Sequence, residues 1–246
     1  IREFVMSVFK NLIYDLDSIK RRDPAARSRL EIFLLYSGFH AVIHYRIAHF
    51  FHKHHMKFIA RLISQNARFL TGVEIHPGAK IGRGLLIDHG SGVVIGETAE
   101  IGNDCTIYQG VTLGGTGKDV GKRHPTIGNN VLIGAGAKVL GPFTVGDDAK
   151  IAAGAVVLAA VPPNSTAVGV PARIICRKKQ IDPAEELDQV HIPDPVSQEL
   201  CRLHGEIELL EKKIAEMSRN GSFEKMKGAD QNTASKEKDE EKNETV

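Results

Sequence analysis

A chain of 246 residues, 42% of them hydrophobic, is long enough to bury a sizeable core. A net charge of +2 argues against a nucleic-acid partner or an anionic membrane surface. The three cysteines (Cys105, Cys176, Cys201) show neither metal-ligand spacing nor an even disulfide set. With no bilayer-length apolar run and no signal-peptide pattern, the expected compartment is the cytoplasm.

In chain order, residues 1–22 carry apolar side chains at helical spacing, among them Phe9, Leu12, Leu16 and Ile19. Asp23-Pro24 then reads as an N-cap and first helical position, opening a helix over roughly 24–36 that Gly38 interrupts. Two more helices are expected over about 39–54 and 56–70. The last has Phe58, Ile59, Leu62, Ile63 and Phe69 as its apolar residues. A helical domain over 1–72 follows from these signals, apolar enough to need a neighbour.

From Ile75 the period changes to six. Ile75, Ile81 and Ile87, then Ile95, Ile101, Ile107 and Leu113, then Ile127, Ile133, Val139, Val145, Ile151 and Val157 are all aliphatic. A sustained period of six is the hexapeptide repeat of a parallel β-helix, in which each unit is one short strand and a corner. The fourth residue after each aliphatic is small or aliphatic, as a crowded corner requires (Ala79, Leu85, Ser91, Ala99, Cys105). Two breaks interrupt the phase. Ile87 to Ile95 is a step of eight, placing two extra residues within Asp88–Gly92. Leu113 to Ile127 is a step of fourteen, an eight-residue insertion that should leave the prism as a loop within 114–126. The β-helix is expected over 73–175. Then come a Pro- and Asp-rich linker over 176–196, a coiled-coil-like helix over 197–218, and a tail over 219–246 too polar to fold.

Both breaks carry chemistry. His89, beside Asp88, reads either as a general base or as a surface corner histidine. Glu74, a little less than one coil earlier, reads either as the carboxylate orienting that imidazole or as a solvated junction residue. Arg123, in Lys122-Arg123-His124, reads either as a bidentate carboxylate clamp or as part of a solvated basic loop. The run His40, His44, His49, His52, His54 and His55 lacks a carboxylate or cysteine at ligand spacing, so it reads as the polar edge of a packed helix, with no metal. His76, His89 and His124 would also suit a zinc hydratase with ligands meeting between subunits.

Read together, Asp88-His89-Gly90, Gly96-Glu97-Thr98, Val111 to Lys118 and Lys122-Arg123-His124-Pro125 resemble the serine O-acetyltransferase family. Asp23-Pro24-Ala25 and Gly38-Phe39-His40-Ala41 extend the resemblance into the helical part, in its compact bacterial form. The resemblance implies an α+β fold: an N-terminal helical domain, a left-handed parallel β-helix and a C-terminal helical tail. It implies His89 as the base on the serine hydroxyl, with Glu74 at a position usually Asp. It assigns Asp23, Asp88, Arg123 and His124 to serine. Acetyl-CoA is expected as co-substrate, with no resident cofactor, along Gly115, Thr116, Ala135 and Ala153 between two prisms. It also implies L-cysteine as feedback inhibitor, and a homotrimer first with a hexamer second. The C-terminal tail, ending here in Val246, would bind O-acetylserine sulfhydrylase. An acyltransferase of the same fold with another hydroxyl acceptor is the competing reading.

Overall fold

The computed structural model describes residues 2–117 and 120–176, together with Ile207, Leu210, Glu211, Lys213 and Ile214. The first two stretches belong to one compact unit, and the five later residues to a second. Those five are helical, with Ile207, Leu210 and Ile214 exposed. Of the linker expected over 176–196 only Cys176 is described, and it ends a strand; the remainder, the rest of the 197–218 helix and the 219–246 tail lie outside the described residues. Among the described residues no helix is long and apolar enough to cross a membrane.

Four helices lead the chain: α1 (Arg2–Arg22), α2 (Arg29–Leu35), α3 (Ser37–Lys53) and α4 (Lys57–Thr71). Helix α2 begins five residues later than Pro24 predicted. Asp23 does not cap it; its Oδ1 accepts the Ala25 N–H at 2.8 Å and closes a local turn. The cap is Ser28, whose hydroxyl accepts the Glu31 N–H. Gly38 does not break a helix either. It sits in the first turn of α3, where a Cβ would stand 2.1 Å from the Ile87 carbonyl oxygen. Helix α4 buries Ala60, Ser64 and Ala67, not its large apolar residues. Those small residues admit close approach to the prism, with the Ser64 hydroxyl donating to Ile75 O at 2.7 Å. Phe58, Leu62, Phe69 and Leu70 are left exposed.

The prism is built in coils of three strands. β1 (Glu74–Ile75), β2 (Lys80–Ile81) and β3 (Leu86–Ile87) form the first, and β4 (Val94–Ile95), β5 (Glu100–Ile101) and β6 (Thr106–Ile107) the second. β7 (Thr112–Gly114), β8 (Thr126–Ile127) and β9 (Leu132–Ile133) form the third. β10 (Lys138–Leu140), β11 (Thr144–Val145) and β12 (Lys150–Ile151) form the fourth, before β13 (Val156–Val157), β14 (Ser165–Val168) and β15 (Arg173–Cys176). The first face stacks β1, β4, β7, β10 and β13; the second β2, β5, β8 and β11; the third β3, β6, β9, β12 and β14, all parallel. β15 returns antiparallel on β14.

The register carries both phase breaks. Thr126 pairs with Thr144, eighteen residues on, which is three units of six. Glu74 pairs with Val94, twenty on, and Glu100 with Thr126, twenty-six on. The inward stack is fully apolar: Ile95, Ile107, Leu113, Ile133, Val139, Val145 and Ile151 are each 0% exposed. At the first break the inward corner place passes from Ser91, which is exposed, to the buried Val93, because the two extra residues shift the phase before the strand resumes.

Helix α1 docks on the corner between the second and third faces through a polar seam. Tyr14 and Ser18 donate to the Asp104 carboxylate at 2.7 and 2.5 Å. Asp15 accepts the Gly84 N–H at 2.6 Å and pairs with Arg46 at 2.7 Å. Arg22 donates to the carbonyls of Asp104, Cys105 and Gly84.

Candidate active site

One edge of the prism, where the third face turns into the first, is made of glycine. Gly92, Gly110, Gly136 and Gly154 all take φ near +70°, and they are linked by N–H bonds to Ser91 O, Gln109 O and Ala135 O. Only glycine turns this corner without strain. At Gly136 and Gly154 the space where a Cβ would stand is open. The edge is therefore a smooth backbone track, with Ala135 and Ala153 along it.

His89 stands at the start of that track. The two inserted residues are absorbed by consecutive tight turns, with Gly90 N–H donating to Asp88 O and Ser91 N–H to His89 O, both at 2.7 Å. His89 itself takes φ 57°, a conformation histidine tolerates better than most side chains. The turn thrusts the ring outward, leaving the side chain 75% exposed. Its Nε2 lies 3.9 Å from Asp88 Oδ1, within ion-pair range but beyond a hydrogen bond.

Glu74 has other company. It pairs with Arg68 at 3.1 Å and Arg61 at 3.8 Å, both on α4. Asp23 is carried to the His89 edge by the α1–α2 connection. Its Oδ2 accepts the Tyr36 hydroxyl at 2.7 Å. The Tyr36 hydroxyl is raised well above its ordinary value by burial, then by Asp23, with the charges of Glu31 and Asp88 contributing. Tyr36 thus ties Asp23 into the field of Asp88. No motif marked it in the sequence.

Arg123 and His124 occupy the other edge of the first face, where it turns into the second. Arg123 pairs with Glu97 at 2.5 Å. That guanidinium, first through its hydrogen bond, holds the Glu97 carboxyl below the usual range. Lys122 donates to Thr98 O at 2.7 Å. His124 is 8% exposed, and its ring fills the space a Cβ on Gly96 would occupy. Burial first, then the Arg123 and Lys122 charges, depress its pKa. Gly115 leans on the Arg123 side chain, so Gly115 and Thr116 belong to this edge too.

Glu74 apart, the predicted residues thus fall into two groups. Asp23, Asp88, His89, Ala135 and Ala153 line one edge; Gly115, Thr116, Arg123 and His124 line the other. Between them lies the breadth of the first face, Val93 to Gly96 alone spanning roughly 10 Å of extended chain. That exceeds the length of a free amino acid. The first group offers a base and two carboxylates suited to an ammonium, the second a guanidinium and an imidazole suited to a carboxylate.

Four histidines of the run along α3 and its C-cap bond backbone through their rings. His40, His44, His49 and His54 each place a ring nitrogen 2.7–2.8 Å from a carbonyl oxygen, which can only accept. Among the described residues no three His, Cys, Asp or Glu side chains are grouped to hold a metal.

Comparison with known proteins bears on both parts of the chain. Residues 5–43 match the family model "Serine acetyltransferase, N-terminal", and residues 124–159 match "Bacterial transferase hexapeptide (six repeats)". A serine acetyltransferase of Helicobacter pylori is 63% identical over 169 residues, covering 69% of this chain and 99% of that protein. One of Bacillus pumilus is 55% identical over 212 residues, covering 86% and 97%. Among solved structures, a serine acetyltransferase in complex with cysteine matches at TM-score 0.73 and 45% identity, covering 76% of this chain and 72% of that one. Soybean serine acetyltransferase complexed with serine matches at 0.67 and 47%, covering 69% and 70%. These likenesses extend over the helices and the left-handed β-helix alike, and with that identity and coverage the chain belongs to the serine acetyltransferase family.

Proposed function

We propose that the chain transfers acetyl from acetyl-CoA to the hydroxyl of L-serine at a site built between two copies. His89, Asp88 and Asp23 come from one copy, and Arg123 and His124 from the next. His89 takes the hydroxyl proton as the serine oxygen attacks the thioester carbonyl carbon. The tetrahedral intermediate collapses, the C–S bond breaks, and the imidazolium returns the proton to the departing thiolate. Asp23 and Asp88 hold the ammonium, and Arg123 with His124 the carboxylate. The smooth edge through Gly110, Ala135 and Ala153 takes the extended thioester arm, with Gly115 and Thr116 of the neighbour closing over it.

The observation that carries this reading is the split of the two groups across one face. A substrate needing both groups cannot reach them within one chain. Joining the His89 edge of one prism to the Arg123 edge of another is a contact between unlike patches. Contacts of that kind close into rings, and for prisms of triangular section a ring of three is the natural closure. Cysteine shares the ammonium and carboxylate of serine, so it should compete for the same site. A family structure holding cysteine supports that expectation.

The test is thiol release from acetyl-CoA with serine, using His89→Ala and Arg123→Ala separately and co-assembled. Each alone should be nearly inactive. Random co-assembly should restore roughly a quarter of the sites, since a site forms only where the two intact edges meet. No recovery, or no thiol released by the unmodified protein, would overturn the proposal.

A further inference from the structure

We infer that Thr98 is a positioning residue, holding His124 in the tautomer that carries its proton on Nε2. The inference rests on the reading of His124 as a carboxylate-binding group and adds what makes it a donor.

The hydrogen-bond count leaves one arrangement. The Thr98 hydroxyl oxygen accepts the Arg123 N–H at 3.0 Å and the His124 N–H at 3.1 Å. Those two donors fill both lone pairs, so the hydroxyl hydrogen remains to be given away. The hydroxyl oxygen lies 2.9 Å from His124 Nδ1, within reach to donate to it. The Thr98 backbone N–H, which can only donate, also reaches Nδ1 at 3.2 Å. Nδ1 therefore has to be an acceptor, and the proton of the neutral ring sits on Nε2. Burial and the adjacent cations keep the ring neutral near neutral pH. Among the described residues Nε2 has no hydrogen-bond partner and is not sealed from solvent. The ring cannot turn freely to exchange the two nitrogens, because it is packed into the notch above Gly96.

One threonine thus does two things. It pins the Arg123 and His124 backbone to the rigid corner at Gly96–Ala99, and it orders the proton so that Nε2, the nitrogen left without a partner among the described residues, carries the N–H. A lone pair facing a carboxylate would repel it; an N–H facing it adds a hydrogen bond.

The experiment compares unmodified protein with Thr98→Val, which keeps the shape but loses the hydroxyl, and Thr98→Ser, which keeps the hydroxyl. Histidine ring nitrogen-15 spectra of the unmodified protein should place the His124 proton on Nε2. In Thr98→Val that signal should broaden or split toward the other tautomer, and Thr98→Ser should restore it. Steady-state kinetics of the assembled enzyme should show the serine KM raised about tenfold in Thr98→Val, the acetyl-CoA KM unchanged, and Thr98→Ser near the unmodified value. A proton on Nδ1 in the unmodified protein would overturn the inference outright. So would a Thr98→Val protein with unchanged tautomer and unchanged serine KM. His124→Ala separates the two layers: an unchanged serine KM there would remove the carboxylate reading, while the nitrogen spectra would still judge Thr98.

Discussion

Gly38 in the first turn of α3 lies directly against Ile87, the residue before the Asp88–His89 corner. A Cβ at position 38 would stand 2.1 Å from Ile87 O and 2.8 Å from Ile87 Cβ. Helix α3 and the His89 corner are therefore held in close contact at this one glycine. Gly38→Ala must push α3 away or distort the turn that aims His89. Overpacking of this kind costs about 1–3 kcal/mol. Thermal unfolding should register the loss, and serine turnover should fall further than stability alone explains. An alanine variant with unchanged melting would show that α3 is free to move.

The chemistry proposed for His89 and its left-handed backbone can be tested separately. Asparagine tolerates φ near +57° but cannot serve as the base. His89→Asn should melt like the unmodified protein and lose about 10²- to 10⁴-fold in kcat. Acetyl-CoA binding, followed by calorimetry, should survive. Retained turnover in His89→Asn would remove histidine from the reaction.

Asp15 is 1% exposed in its side chain and pairs with Arg46, whose Nε is buried without a hydrogen-bond partner among the described residues. Burial raises the Asp15 carboxyl despite that guanidinium, so desolvation dominates. Removing one member of such a pair strands the other. Asp15→Ala should cost about 3–5 kcal/mol, read by denaturant unfolding, and should loosen α1 from the prism corner. Hydrogen exchange along α1 would locate the effect.

Acid sensitivity should start above the carboxylate range. His49, His76 and His124 are all depressed below 6.5, burial being the first cause in each. A depressed histidine favours the neutral form in the folded state. Its contribution is complete above 6.5 and is lost as pH falls through the lower folded value. Melting temperature should therefore decline as pH falls below 6.5, and His49→Asn should flatten the slope. Glu97 and Glu100, held below 4.5 by Arg123 and Lys80, act only at lower pH. A melting temperature unchanged from pH 6.5 down to the carboxylate range would contradict this.

Deleting residues 116–123 removes eight residues and returns the twenty-six-residue coil to the regular eighteen. The shortened chain should fold, since the coils on either side already stack in register. It loses the hydrogen bonds from Lys122 and Arg123 to Thr98, at about 1 kcal/mol each, and the partly exposed ion pairs of Arg123 with Glu97 and Lys122 with Glu100, which contribute about as little. Circular dichroism should be preserved and serine-dependent thiol release abolished. Failure to fold would mean that the loop supports the prism.

What the sequence determined by itself was the prism, down to the positions of its two interruptions. The inward place recurs every six residues, and each coil meets only its neighbours, so the periodicity of Ile75 to Val157 is already the packing. The phase breaks flagged His89, Arg123 and His124 for the same reason. Local signals misled where a distant partner intervened: Gly38 is small for Ile87's sake, and α4 turns Ala60, Ser64 and Ala67 inward because β1 comes so close. Which edge each chemical group occupies, Glu74's commitment to Arg61 and Arg68, and the parts played by Tyr36 and Thr98 were settled only by the tertiary structure. Those contacts join residues up to twenty-six positions apart through side-chain hydrogen bonds, and such bonds leave no period in the chain.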